Sequence, residues 1–140
     1  MNKKFLLSIA LTILVSSFGF AQKVKFKKGK VLVDGKEILK IERQGTEATL
    51  YSLEGDDEVI YLNYESNGTL HYHEDDYVVI FFSKEEIKVE TSRIKGSRKR
   101  VIKALIKNKV LDMNGEINLE KLKKFAKKYD ENITNRTVRY

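Results

Sequence analysis

Arg98-Lys99-Arg100 stands where a helical periodicity begins, and Lys103 and Lys107 continue from Arg100 at three- and four-residue spacing on one helix side. Positive charge at a helix start opposes the helix dipole, at roughly 0.3–1 kcal/mol for each badly placed group. Something must offset it. One reading is a bound anion such as phosphate, an acidic glycan or a lipid headgroup, held by these side chains and the free amides of the first turn. The other is internal pairing, for which Asp56-Asp57-Glu58 and Glu74-Asp75-Asp76 supply carboxylates. Charge runs on helices also serve simply as solvated faces.

His71 and His73 are the two histidines of the chain. Residues two apart on a strand point to the same side, so this pair could ligate one zinc or copper ion, with a neighbouring carboxylate as third ligand. A fourth ligand is not evident, and two histidines beside a polar turn are also simply solvated. Asp112-Met113-Asn114-Gly115-Glu116-Ile117-Asn118 imitates part of a calcium loop. With Gly115 at loop position six, however, Val110 falls at position one and Lys121 replaces the bidentate glutamate, which excludes calcium. Gly115 then reads as a helix-stop residue. A small hydrolase finds no nucleophile–base pair, because no Gly-x-Ser-x-Gly, His-Glu-x-x-His or phosphate loop occurs. The basic segments lack interleaved aromatics and any nucleic-acid reader motif, so nucleic acid is not an expected partner.

The chain beyond its N-terminal leader must position these groups. In the leader, Lys3 and Lys4 precede an apolar stretch from Phe5 to Val15, and Gly19 and Ala21 occupy the small-residue positions before a cut. That pattern predicts a secretory signal peptide over 1–21, cleaved after Ala21. The apolar core is shorter than the roughly 20 residues a membrane span requires. The expected mature chain, 22–140, is one exported domain with no transmembrane segment. It has no cysteine, which excludes thiol chemistry and disulfide stapling, and no proline. Its charge is uneven. Residues 22–92 carry 10 Lys/Arg against 15 Asp/Glu, whereas 93–140 carry 15 against 5. Such asymmetry marks either a surface for polyanions or membranes, or a cationic half folded over an anionic one.

Turn chemistry organises the anionic half. Asp34-Gly35 and Asn67-Gly68 have the form of two-residue hairpin turns, and Lys28-Gly29, Gln44-Gly45, Gly55-Asp56 and Lys84-Glu85 are weaker turns. Strands are predicted near 24–27, 30–33, 36–42, 46–53, 58–66, 69–73, 77–83 and 87–91. Tyr77-Val78-Val79-Ile80-Phe81-Phe82, rich in aromatic and β-branched residues, reads as a central strand buried on both faces.

The period then changes. Ser97 is placed to cap a helix over about 98–110, with Val101, Ile102, Leu105 and Ile106 on its apolar side. Asn118 is placed to cap a second over 119–129, with Leu119, Leu122, Phe125, Ala126 and Tyr129 on one face and Lys121, Lys124 and Lys128 towards water. The tail from Ile133 to Tyr140 alternates weakly, as an edge strand would. The expected class is α+β: an antiparallel β-meander, curved towards a partial barrel, followed by two amphipathic helices packed on one face.

The leader ending Gly19-Phe20-Ala21-Gln22, the Lys28–Lys36 run Lys-Gly-Lys-Val-Leu-Val-Asp-Gly-Lys and the Leu119–Tyr129 helix resemble those of small exported proteins of Bacteroidota, of flavobacterial type, to which no function is assigned. The resemblance implies a periplasmic or secreted setting and carries over no catalytic residue. The sequence thus predicts a non-catalytic exported module of the bacterial cell envelope. It would contact an anionic component or a protein partner through Arg98, Lys99, Arg100, Lys103 and Lys107, without a cofactor. The alternative is a divalent-metal protein using His71 and His73.

Overall fold

The structure, a computed structural model, describes residues 22–66, 74, 76–94 and 96–136. Seven strands come first: β1 (Val24–Lys27), β2 (Lys30–Val33), β3 (Lys36–Gln44), β4 (Glu47–Tyr51), β5 (Glu58–Glu65), β6 (Tyr77–Phe82) and β7 (Ile87–Thr91). They form one antiparallel sheet in chain order, an open meander that does not close into a barrel. Asp34 and Gly35 both take positive φ, 51° and 83°, which is the two-residue turn that the Asp-Gly pair favours. The predicted strand at 69–73 and the Asn67-Gly68 turn lie outside the described residues, and β5 pairs directly with β6.

Alternation puts two apolar rows on one face of the sheet. Ile41, Leu50, Ile60 and Phe82 stand opposite one another from β3 to β6, and Ala48, Leu62, Ile80 and Val89 do so from β4 to β7. All eight are buried. Between Val31 and Leu32 the β2–β3 register slips by one residue, and Ile38 is the extra residue. This bulge accompanies the burial of two successive side chains, Ile38 and Leu39.

The sheet corrects the expectation for β6. It lies sixth of seven, not at the centre, because a meander keeps chain order and five strands precede it. Nor is it buried on both faces. Val78, Ile80 and Phe82 are buried, whereas Tyr77, Val79 and Phe81 are only half-buried. An uncharged run does not require two covered faces, since aromatic and β-branched residues also suit a half-solvated sheet surface.

Helix α1 (Arg98–Lys107) packs against β1, and α2 (Leu119–Tyr129) packs against β7. Both begin as their cap residues predict: Ser97 Oγ accepts from the Arg100 amide (3.3 Å), and Asn118 Oδ1 from the Lys121 amide (3.0 Å). Val101, Ile102, Leu105 and Ile106 of α1 and Leu122 and Phe125 of α2 join the same core as the sheet rows. Leu119, expected on the apolar face, is instead 45% exposed.

Helix α1 ends sooner than predicted. Asn108 closes it, donating from its amide nitrogens to the Ala104 carbonyl, and Lys109 turns to a φ of 59°. Gly115 therefore does not stop the helix. It sits in a small loop in which Leu111 bridges to Ile117, and Asp112 Oδ1 accepts from the amides of Asn114 and Glu116.

The tail differs too. Ile133–Arg136 forms a one-turn helix, α3, rather than an edge strand. Residues 130–134 already occupy the outer edge of β7. Asp130 Oδ1 accepts from the Glu90 amide (3.0 Å), the Glu131 amide donates to the Glu90 carbonyl (2.8 Å), and Glu131 accepts from the amide and hydroxyl of Ser92. The buried Glu90 carboxylate accepts from the Thr134 hydroxyl.

Candidate functional site

The start of α1 lies at the end of the sheet where β3 turns into β4 and β5 finishes. Arg98, the first helical residue, turns back onto that end, and its Nη2 donates to the carbonyl oxygens of Gly45 (2.5 Å) and Glu47 (3.2 Å). Charge at this helix start is thus held by main-chain carbonyls of the β3–β4 turn. Asp56-Asp57-Glu58 cannot serve it, because the β4–β5 turn is at the opposite end of the meander. There Asp56 pairs with Lys40, and Glu58 accepts from Ser83 Oγ.

A cavity of about 530 Å³ opens beside Arg98, between the first turn of α1 and the sheet. Phe26 of β1, Arg43 of β3, Thr46, Tyr64 of β5 and Lys99 line it with Arg98, and among the described residues none of its walls is acidic. Arg43 Cζ lies 5.5 Å from the centre of the Phe26 ring and Lys99 Nζ lies 6.0 Å from it, so one aromatic ring orients two cations. The Tyr64 hydroxyl and Arg98 Nε are both buried without a hydrogen-bond partner among the described residues. Burial pushes the Tyr64 phenol up to about 12, although the Arg98 guanidinium draws it down.

The five predicted cationic residues divide. Arg98 and Lys99 line the cavity. Arg100 is exposed and bends towards Gly96, whose β-carbon, if present, would stand 3.3 Å from Arg100 Nη1. Lys103 and Lys107 are exposed further along α1. Sequence reasoning missed Arg43, Tyr64 and Phe26. A signal existed for each: Phe26 stands two residues beyond Val24, Arg43 two beyond Ile41 and Tyr64 two beyond Leu62, so all three have core-facing parity.

Tyr64 and Thr46 also wall a smaller adjoining cavity of about 260 Å³, which Glu65 and Asp76 line as well. At the other end of the sheet a broader cavity of about 890 Å³ is acidic, with Glu54, Asp57, Glu58, Glu85 and Glu116 among its walls. No family model, curated protein or solved structure matches the chain. His71 and His73 lie outside the described residues, among which no cluster of three or more His, Cys, Asp or Glu could hold a metal ion. No helix of the described residues is long and apolar enough to cross a membrane.

Proposed function

We propose that this protein is an exported, non-catalytic binding module of the bacterial cell envelope that receives an anionic component at the cationic end of its sheet. The observation that carries this reading is the convergence of Arg43, Arg98 and Lys99, drawn from distant parts of the chain, on a cavity with no acidic wall among the described residues. Opposite charge focused in a concave site raises both the local concentration and the capture rate of an anion. Arg100, Lys103 and Lys107 extend the positive surface along α1. The leader over 1–21 supports export, and the shared core supports α1 and α2 covering the same face of the sheet.

Retention on heparin and on vesicles of anionic lipid, at two salt concentrations, tests the reading. Wild type should be retained at low salt and released as salt rises. Arg43→Gln with Lys99→Gln should elute markedly earlier, and Arg100→Ala with Lys103→Ala by a smaller step. Retention unchanged in both double variants sinks the proposal.

A further inference from the structure

Tyr64 and Arg98 go beyond general attraction of negative charge. Arg98 commits Nη2 to two carbonyls of the β3–β4 turn, which fixes the guanidinium plane and leaves Nε–H buried and unused. Tyr64 is anchored through its own amide, which donates to the Thr46 carbonyl (3.1 Å), and its hydroxyl is likewise buried and unused. A buried donor without an acceptor is unfavourable by about 1–3 kcal/mol, and both residues line one cavity, so an acceptor bound there that reaches the two groups would relieve both losses. With its phenol raised well above neutrality, Tyr64 remains a donor at pH 7.

The surroundings define that acceptor. Arg43 and Lys99 contribute two more positive charges, and neither has a carboxylate partner among the described residues. A negatively charged acceptor satisfies the donors and the cations together. The adjoining cavity that Tyr64 also walls is lined by the carboxylates Glu65 and Asp76, so an anionic group is best accommodated within the first. Resting on the anionic-partner reading above, we propose that this cavity is a receptor for one compact oxyanion group, a phosphate, sulfate or carboxylate. Tyr64 Oη–H and Arg98 Nε–H donate to it, and Arg43 and Lys99 supply the remaining charge.

Calorimetric titration of the purified protein with inorganic phosphate, sulfate and glucuronate at constant ionic strength, with chloride as control, tests this. At least one oxyanion should bind saturably at a single site, at least about tenfold more tightly than chloride. Tyr64→Phe should weaken it about tenfold, as loss of one hydrogen bond to a charged acceptor implies, and Arg98→Lys should do likewise. Lys84→Ala, in the wall of the acidic cavity at the opposite end of the sheet, should leave it unchanged. A melting curve without ligand guards against misfolding: Tyr64→Phe deletes an uncompensated donor, so it should melt at or above the wild-type temperature. Vesicles of phosphatidylglycerol, compared with free phosphate, distinguish a headgroup from a soluble ligand. The proposal is overturned if no oxyanion saturates the protein, or if Tyr64→Phe binds as wild type does. Heparin retention that still depends on Arg43 and Lys99 would then leave the broader function standing, and its loss would remove both.

Discussion

A β-carbon on Gly115 would stand 2.3 Å from the carbonyl oxygen of Ile38, the residue that bulges β3. The α1–α2 loop thus presses its backbone against the sheet where the strand register slips. Gly115 also holds a φ of +77°, which side-chain-bearing residues adopt with strain. Gly115→Ala should destabilise the fold by about 3 kcal/mol, overlap and backbone strain together. Gly35 has φ +83° but open space around it, so Gly35→Ala should lose only about 1 kcal/mol. Urea denaturation of the two variants checks the contrast, and equal losses would contradict the close approach.

The helix caps can be weighed separately. Ser97→Ala and Asn118→Ala each remove an acceptor for a first-turn amide and should each lower stability by about 1 kcal/mol. Because the two caps belong to different helices, the double variant should show the sum of the single losses. A departure from that sum would measure an interaction energy between the two helix starts.

Glu131 gives the fold an acid dependence. Burial alone would raise its carboxyl, but donation from Ser92 and Thr91, with Arg93 nearby, outweighs that and holds it below the ordinary 4.5. A depressed carboxyl contributes stability that is present above the unfolded value and lost as pH falls through the folded one. Glu131→Gln should therefore be less stable than wild type by about 1 kcal/mol at pH 7, a figure reduced for solvent at this half-buried site. The gap should close on acidification below the ordinary carboxyl value. Chemical denaturation across the acid range reads it directly.

Tyr64 acts at the other end of the scale. Its folded value of about 12 exceeds the ordinary 10.0, so an unfolded chain ionises first as pH rises. The wild type should hold this contribution below 10 and lose it progressively between 10 and about 12. Tyr64→Phe has no such proton to lose. Melting temperatures followed from neutral into alkaline buffer should shift in the variant's favour, and parallel curves would contradict a buried phenol.

Features written in neighbouring residues were legible in the sequence. Asp34-Gly35, Ser97 and Asn118 act within a turn of themselves, and each does in the structure what its chemistry predicts. Features that depend on distant partners were not. Gly115 carries no sign that Ile38 will lie against it, and the tail after Asp130 does not show that its acceptors will meet the edge of β7. The site was half legible. Arg98 and Lys99 stand out as charge at a disfavoured helix position. Arg43 and Tyr64 become part of the same cavity only once the meander sets β3 two strands from β5.

The tail bound along β7 makes the two rims of the sheet unequal. Asp130 and Glu131 occupy main-chain groups that a newcomer would need there, whereas among the described residues β1 pairs only with β2. Among the described strands the β1 rim is thus the more open to a foreign strand, and Lys25 and Lys27 are exposed there. Two copies approaching through that rim would bring like charges together, so the molecule is built to resist stacking into fibrils by edge growth.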